Sequence, residues 1–105
     1  MSADDMVHIA TPAEWDAAQA AGQVAPASLA TEGFVHCSTR AQLPGTLARH
    51  FTGAGDLVVL VLDPGALDAE LRWEGIPGGE AFPHVYGPIP TAAVTAVEHV
   101  TAPAG

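Results

Sequence analysis

Asp56-Leu57-Val58-Val59-Leu60-Val61-Leu62-Asp63 constrains this chain more than any other stretch, because six apolar residues run without interruption between two aspartates. A strand with one wet face alternates polar and apolar side chains. An unbroken run of valine and leucine therefore reads as a central strand covered on both faces. The turn Gly53-Ala54-Gly55 leads into it and Asp63-Pro64-Gly65 ends it. With 105 residues, the chain has room for one core and one domain, 1–105, its ordered part running from about residue 6 to residue 100. The remaining segments must supply a layer on each side of that strand.

Met6 to Ala10 reads as a first strand. Thr11-Pro12-Ala13-Glu14 then gives a helix start with a hydroxyl at the N-cap, proline at N1 and glutamate at N3. Gly22 stops this helix, and Trp15 is its apolar anchor. Residues 23–32 read as a loop with at most a short turn, followed by a strand over 33–38. Thr39 or Ser38 caps a second helix with Gln42 near N3, Pro44 in its first turn, and an apolar face of Leu43, Leu47 and Phe51. Short strands follow at Leu71 to Glu74, at about Phe82 to Tyr86 and at Val94 to Val100. Many strands and two main helices make an α+β domain with mainly antiparallel pairing, not a doubly wound parallel sheet.

Charge and cysteine usage exclude several functions. The chain has no lysine and three arginines against twelve acids, a formal charge of −9. Duplex nucleic acid is a poor partner for such a surface, since phosphate contacts rest on basic residues. A phosphate-bearing ligand would have to be held locally, by an arginine or by backbone amides. The longest apolar run is far below the ~20 residues of a membrane span. The start "MSADDM" lacks the apolar core of a secretory signal, and Cys37, the single cysteine, has no internal disulfide partner, so a cytoplasmic protein is expected. "GAG" is not a phosphate loop, and neither G-x-S-x-G, C-x-x-C nor H-E-x-x-H occurs.

The chemistry concentrates in "GFVHCST", residues 33–39, where a histidine, the cysteine and two hydroxyls follow one another. Alternation places Phe34, His36 and Ser38 on one face and Val35, Cys37 and Thr39 on the other. His36 and Cys37 thus point apart, which argues against a Cys-His nucleophilic pair and makes Cys37 a small core residue. His8 in "MVHIA" and His84 in "FPHVYGP" share the apolar setting of His36, whereas His50 ends a helix and His99 lies in the last strand. If the first three meet, they could line a binding site or ligate a metal such as zinc; each alone could equally be a hydrogen-bonded structural residue. Glu80, Phe82, His84 and Tyr86 would share one strand face, offering an acid, an imidazole and a phenol. Trp73 and Glu74 in "LRWEG", with Arg72 beside them, could supply a stacking ring and a phosphate partner, or simply form an amphipathic strand.

"VHIA" followed by "EW", then "PASLATEGFVHCST", "LRWE" and "GGEAFPHVYGPIP" together resemble the bacterial domain-of-unknown-function family 952, over about residues 6–100. That family looks like a compact relative of the ADP-ribosyltransferase fold, a split β-sheet that cradles NAD. The resemblance implies that His8 hydrogen-bonds the adenosine-side ribose, and that His36 with Ser38 lies beside the nicotinamide ribose. The third motif, a catalytic glutamate in many transferases, falls in "GGEAFPHVYG", where Glu80 and His84 compete for the role; Tyr86 and Arg72 complete the expected cofactor contacts. The implied cofactor is NAD, and the implied partner is a small-molecule nucleotide. The two-histidine RNA 2′-phosphotransferases share part of the pattern, but they grip RNA with several basic residues that this chain lacks. Two further readings stand beside the transferase: a non-catalytic ligand-binding or interaction module, and a three-histidine metal site.

Overall fold

The computed structural model describes residues 5–75 and 77–104. Its element order is β1 (Met6–Ala10), α1 (Pro12–Ala21), β2 (Gln23–Val24), α2 (Ala27–Glu32), β3 (Val35–His36), β4 (Ser38–Thr39), α3 (Leu43–His50), β5 (Asp56–Leu62), β6 (Leu71–Gly75), β7 (Ala81–Val85), β8 (Ile89–Pro90) and β9 (Val94–Thr101). The fold is α+β and its strands pair antiparallel, as expected. One sheet has the order β4-β1-β5-β9, a second β3-β7-β6, and β2 and β8 form a small ribbon.

β5 is the covered strand that its sequence predicts. Val58, Leu60 and Leu62 enter one apolar cluster with Val35, Val85 and Ile89. Leu57, Val59 and Val61 enter the other, where Leu43, Leu47 and Phe51 of the α3 face meet Val7 and Ile9. Period-two alternation in a strand that is apolar on both faces thus divides the core into two layers.

α1 carries the reciprocal cap read from its sequence. Thr11 Oγ1 accepts from Glu14 N–H at 3.1 Å while Glu14 Oε1 accepts from Thr11 N–H at 2.8 Å, and Gly22 closes the helix at φ 79°. Thr11→Ala removes one half of this box. It is expected to destabilise the domain by about 1 kcal/mol in thermal unfolding, with Thr11→Ser restoring most of the loss.

Three features differ from expectation. Residues 27–32 are a helix, α2, ended by Gly33 at φ 88°, so the described residues hold three α-helices and not two. α3 begins at Leu43. The Thr39–Gln42 exchange of hydrogen bonds, at 3.0 and 3.1 Å, closes the turn just before it. Most consequential, the strand expected over 33–38 breaks at Cys37. β3 pairs with β7, the Cys37 N–H donates to the Pro83 carbonyl, and β4 then joins β1 through the partners Val7↔Ser38 and Met6↔Thr39. One short segment therefore belongs to both sheets, and the sheets part beside it.

Candidate functional site

A cleft of about 580 Å³ opens where the sheets part, and His8, His36 and His84 all line it. The three histidines that the sequence left separate do meet. His8, in the middle of β1, is buried, and its Nδ1–H donates to the His36 carbonyl oxygen at 2.6 Å. A carbonyl can only accept, so the ring proton sits on Nδ1 and the lone pair on Nε2. Desolvation lowers the His8 pKa below its ordinary value, against the opposing pull of the His36 carbonyl and Glu14, which keeps the ring neutral near pH 7. Among the described residues no buried side-chain nitrogen or oxygen lacks a partner, and among them none bonds His8 Nε2. Nε2 is therefore not sealed in the core, and His8 borders both this cleft and a neighbouring one of about 350 Å³ beside α1.

The second wall is one face of the β3-β7-β6 sheet. Register places His36 opposite His84 and His84 opposite Arg72, so the three side chains share that face. Phe34 stacks on His84 with centroids 4.1 Å apart and meets the edge of His36 at 4.8 Å. His84 Nδ1–H donates to Glu74 Oε1 at 2.9 Å, and the Tyr86 hydroxyl donates to the same oxygen at 2.5 Å. The Tyr86 bond first, and the His84 bond second, hold the Glu74 carboxyl below the usual carboxylate range. The carboxylate fixes the His84 ring and leaves its Nε2 available. His36 Nε2 is tied to Glu32 at 2.9 Å, an exposed contact between α2 and β3.

The predicted residues separate into two groups. His8, His36, Ser38 and His84 line the cleft, while Glu80, Tyr86 and Arg72 do not. Ser38 is buried, its hydroxyl 3.0 Å from that of Thr46, which also reaches the Gln42 carbonyl. Glu80 precedes β7, is exposed, and makes no side-chain hydrogen bond or ion pair among the described residues. The carboxylate at His84 is Glu74, which β6 delivers from across the sheet. Arg72 forks onto Glu70 at 2.9 and 3.0 Å and lies 4.4 Å over the Tyr86 ring. Cys37 faces the core, where burial pushes its thiol up to about 12, so it is no nucleophile. The reading with a metal held by His8, His36 and His84 gains no support from the geometry: among the described residues no group of three His, Cys, Asp or Glu side chains is arranged to hold an ion. The sequence marks Glu74 only beside Trp73 and Arg72, not as the partner of His84, and gives no site role to Arg49 or His50, which also line the cleft.

Fold and site together define a small α+β domain with an imidazole-lined cleft between two antiparallel sheets. The family model described as "Protein of unknown function (DUF952)" matches residues 9–97, and the chain belongs to that family. The crystal structure of protein CC0527 from Caulobacter crescentus is 36% identical, with a TM-score of 0.78, over 91% of this chain and 83% of that one. The solution NMR structure of the same protein gives 36% identity and a TM-score of 0.76 over 90% and 83%. No curated protein matches. These comparisons carry the family and the α+β fold, and say nothing of NAD or of group transfer. Among the described residues no helix is long and apolar enough to cross a membrane.

Proposed function

We propose that the cleft binds a ribose-bearing nucleotide of the NAD or ADP-ribose type and transfers its ADP-ribosyl group. The observation that carries this reading is the convergence of His8, His36 and His84 on one cleft, with Nε2 of His8 and of His84 making no hydrogen bond among the described residues. A neutral imidazole lone pair in a partly dry cleft accepts a hydrogen bond from a ribose hydroxyl without first shedding a proton. His8 Nε2 takes that role in this reading, and the His36 and Phe82 rings line the same cleft.

His84 Nε2 is the base. As the bond from C1′ to nicotinamide breaks, the nicotinamide ring nitrogen leaves with the electron pair and becomes neutral. Positive charge builds on the ribose, and the acceptor supplies a new pair to C1′ while its proton passes to His84 Nε2. The Glu74 carboxylate stabilises the imidazolium so formed and favours the cationic sugar electrostatically, taking the place first given to Glu80.

The test is a titration of the five histidine rings by NMR with NAD and with ADP-ribose. Resonances of His8, His36 and His84 are expected to shift at millimolar ligand while His99, which does not line the cleft, stays still. Release of nicotinamide from NAD by the wild type, abolished in His84→Ala, would complete the case. Shifts without release would leave a binding module, and unmoved rings at millimolar nucleotide would overturn the nucleotide reading.

A further inference from the structure

We infer that Arg49 and His50, at the end of α3, form an anion subsite within the cleft that takes the phosphate of a small-molecule ligand. The inference rests on the reading of the cleft as a ligand site and names a charge that the ligand must carry.

The chain pairs its few arginines with carboxylates, with one exception among the described residues. It has three arginines against twelve acids. Arg40 forks onto Glu98 at 2.9 and 2.7 Å and also reaches Asp5. Arg72 forks onto Glu70. Arg49 alone among them has no carboxylate partner within the described residues, although acids outnumber arginines fourfold. Two carboxylates, Glu14 and Glu32, line the same cleft, yet each is already engaged, Glu14 with the Thr11 backbone and Glu32 with His36. Arg49 is therefore an uncompensated cation on the wall of a cavity in a molecule of charge −9.

Local geometry adds a second donor. Thr46, Arg49 and His50 stand at i, i+3 and i+4 on α3, hence on one helix face, and all three line the cleft. The helix dipole favours a cation in this last turn, which explains why basic residues suit the position but not why their face borders the cleft. A guanidinium presents a planar fork of N–H donors that matches two oxygens of one phosphate, and an imidazole beside it can donate a further hydrogen bond. A net negative surface repels anions at long range, so a phosphate-bearing ligand needs such a local contact.

The probe is inorganic pyrophosphate, read on the His50 ring and the Arg49 side-chain N–H by NMR at constant ionic strength, with His99 as reference. A saturable shift of His50 at millimolar pyrophosphate is expected, at least tenfold weaker in Arg49→Gln and partly retained in Arg49→Lys. Arg72→Gln should leave it unchanged. Arg49 is exposed and unpaired, so Arg49→Gln should keep the wild-type Tm, which separates loss of a contact from loss of fold. The inference is overturned if His50 does not saturate, if sodium chloride at equal ionic strength gives the same shift, or if Arg49→Gln binds pyrophosphate as the wild type does. The nucleotide reading fails separately, when ADP-ribose leaves His8, His36 and His84 unmoved. ADP-ribose affinity that is equal in wild type and Arg49→Gln would remove the subsite and keep the nucleotide.

Discussion

Leu60→Ala is expected to lower the unfolding free energy by about 2–5 kcal/mol, the cost of emptying a fully buried leucine site. Leu60 has no exposed surface and lies at the centre of β5, with His8 of β1 on one side and Val97 of β9 on the other. Its neighbours in the core belong to both sheets and the ribbon, among them Val35, Val85 and Ile89, so no single loop can collapse to fill the space. For a domain near this size each kcal/mol is worth ~4–8 °C, and the Tm should fall by roughly 10–30 °C in a melt followed by circular dichroism. Leu60→Met, which conserves most of the volume, should cost less than about 1.5 kcal/mol. Val97→Ala, on the neighbouring strand but 37% exposed, should cost much less than Leu60→Ala. A Leu60→Ala melt within a few degrees of wild type would contradict the two-layer core. Because Leu60 is the direct cross-strand partner of His8, the same cavity should loosen the ring that donates to the His36 carbonyl.

What the sequence shows of this molecule is what depends on neighbours in the chain. The β5 run, the Thr11–Glu14 box with Gly22, and the Leu43–Leu47–Phe51 face of α3 are each settled within a few residues, and each is present as read. α2 was missed because its only local signal is Gly33 at its end; Pro26 at its N-cap supplies no side-chain hydrogen bond and the helix buries no residue fully. The break at Cys37 has no local mark at all. Alternation still places His36 and Cys37 on opposite sides, but which sheet each half joins is decided by β7 and β1, far away in the chain.

The site divides in the same way. Phe82 and His84 share a face because β7 carries both, with Tyr86 just past its end, and that much is legible from period two. Glu74 reaches His84 only through the β6–β7 register, in which Glu74 lies opposite Phe82 and Arg72 opposite His84. Reading β7 alone therefore selects Glu80, four residues before His84, although the strand begins at Ala81. His50 reads from the sequence only as a helix-end residue, and Arg49 carries no local signal, for the same reason: their meaning comes from the cleft that α3 borders.

His8 is expected to make the domain acid-sensitive in a window of its own. Burial lowers its folded-state pKa below the 6.5 of an unfolded chain, so the unfolded state binds the proton more readily. Stability is then complete above about pH 6.5 and is lost as the pH falls toward the lowered folded value, with a slope of at most about 1.4 kcal/mol per pH unit for one proton. The carboxylates act elsewhere. Glu70, Glu74 and Glu98 have pKa values lowered from 4.5 by their hydrogen-bond partners, so their stabilisation is present above pH 4.5 and is lost only below it. In chemical denaturation from pH 7 to pH 4.5, the His8 contribution should therefore lower stability as the pH falls. In His8→Gln, whose amide can still donate to the His36 carbonyl but cannot take up a proton, that decline should flatten while the fall below pH 4.5 remains. An unchanged slope between pH 6.5 and 5 in this variant would show that the buried ring is not the acid-sensitive group. The same proton occupies the Nε2 lone pair that the proposed ribose contact needs. Nucleotide affinity should weaken over the window in which wild-type stability declines, whereas a ligand that does not touch His8 would hold its affinity there even as the fold became less stable.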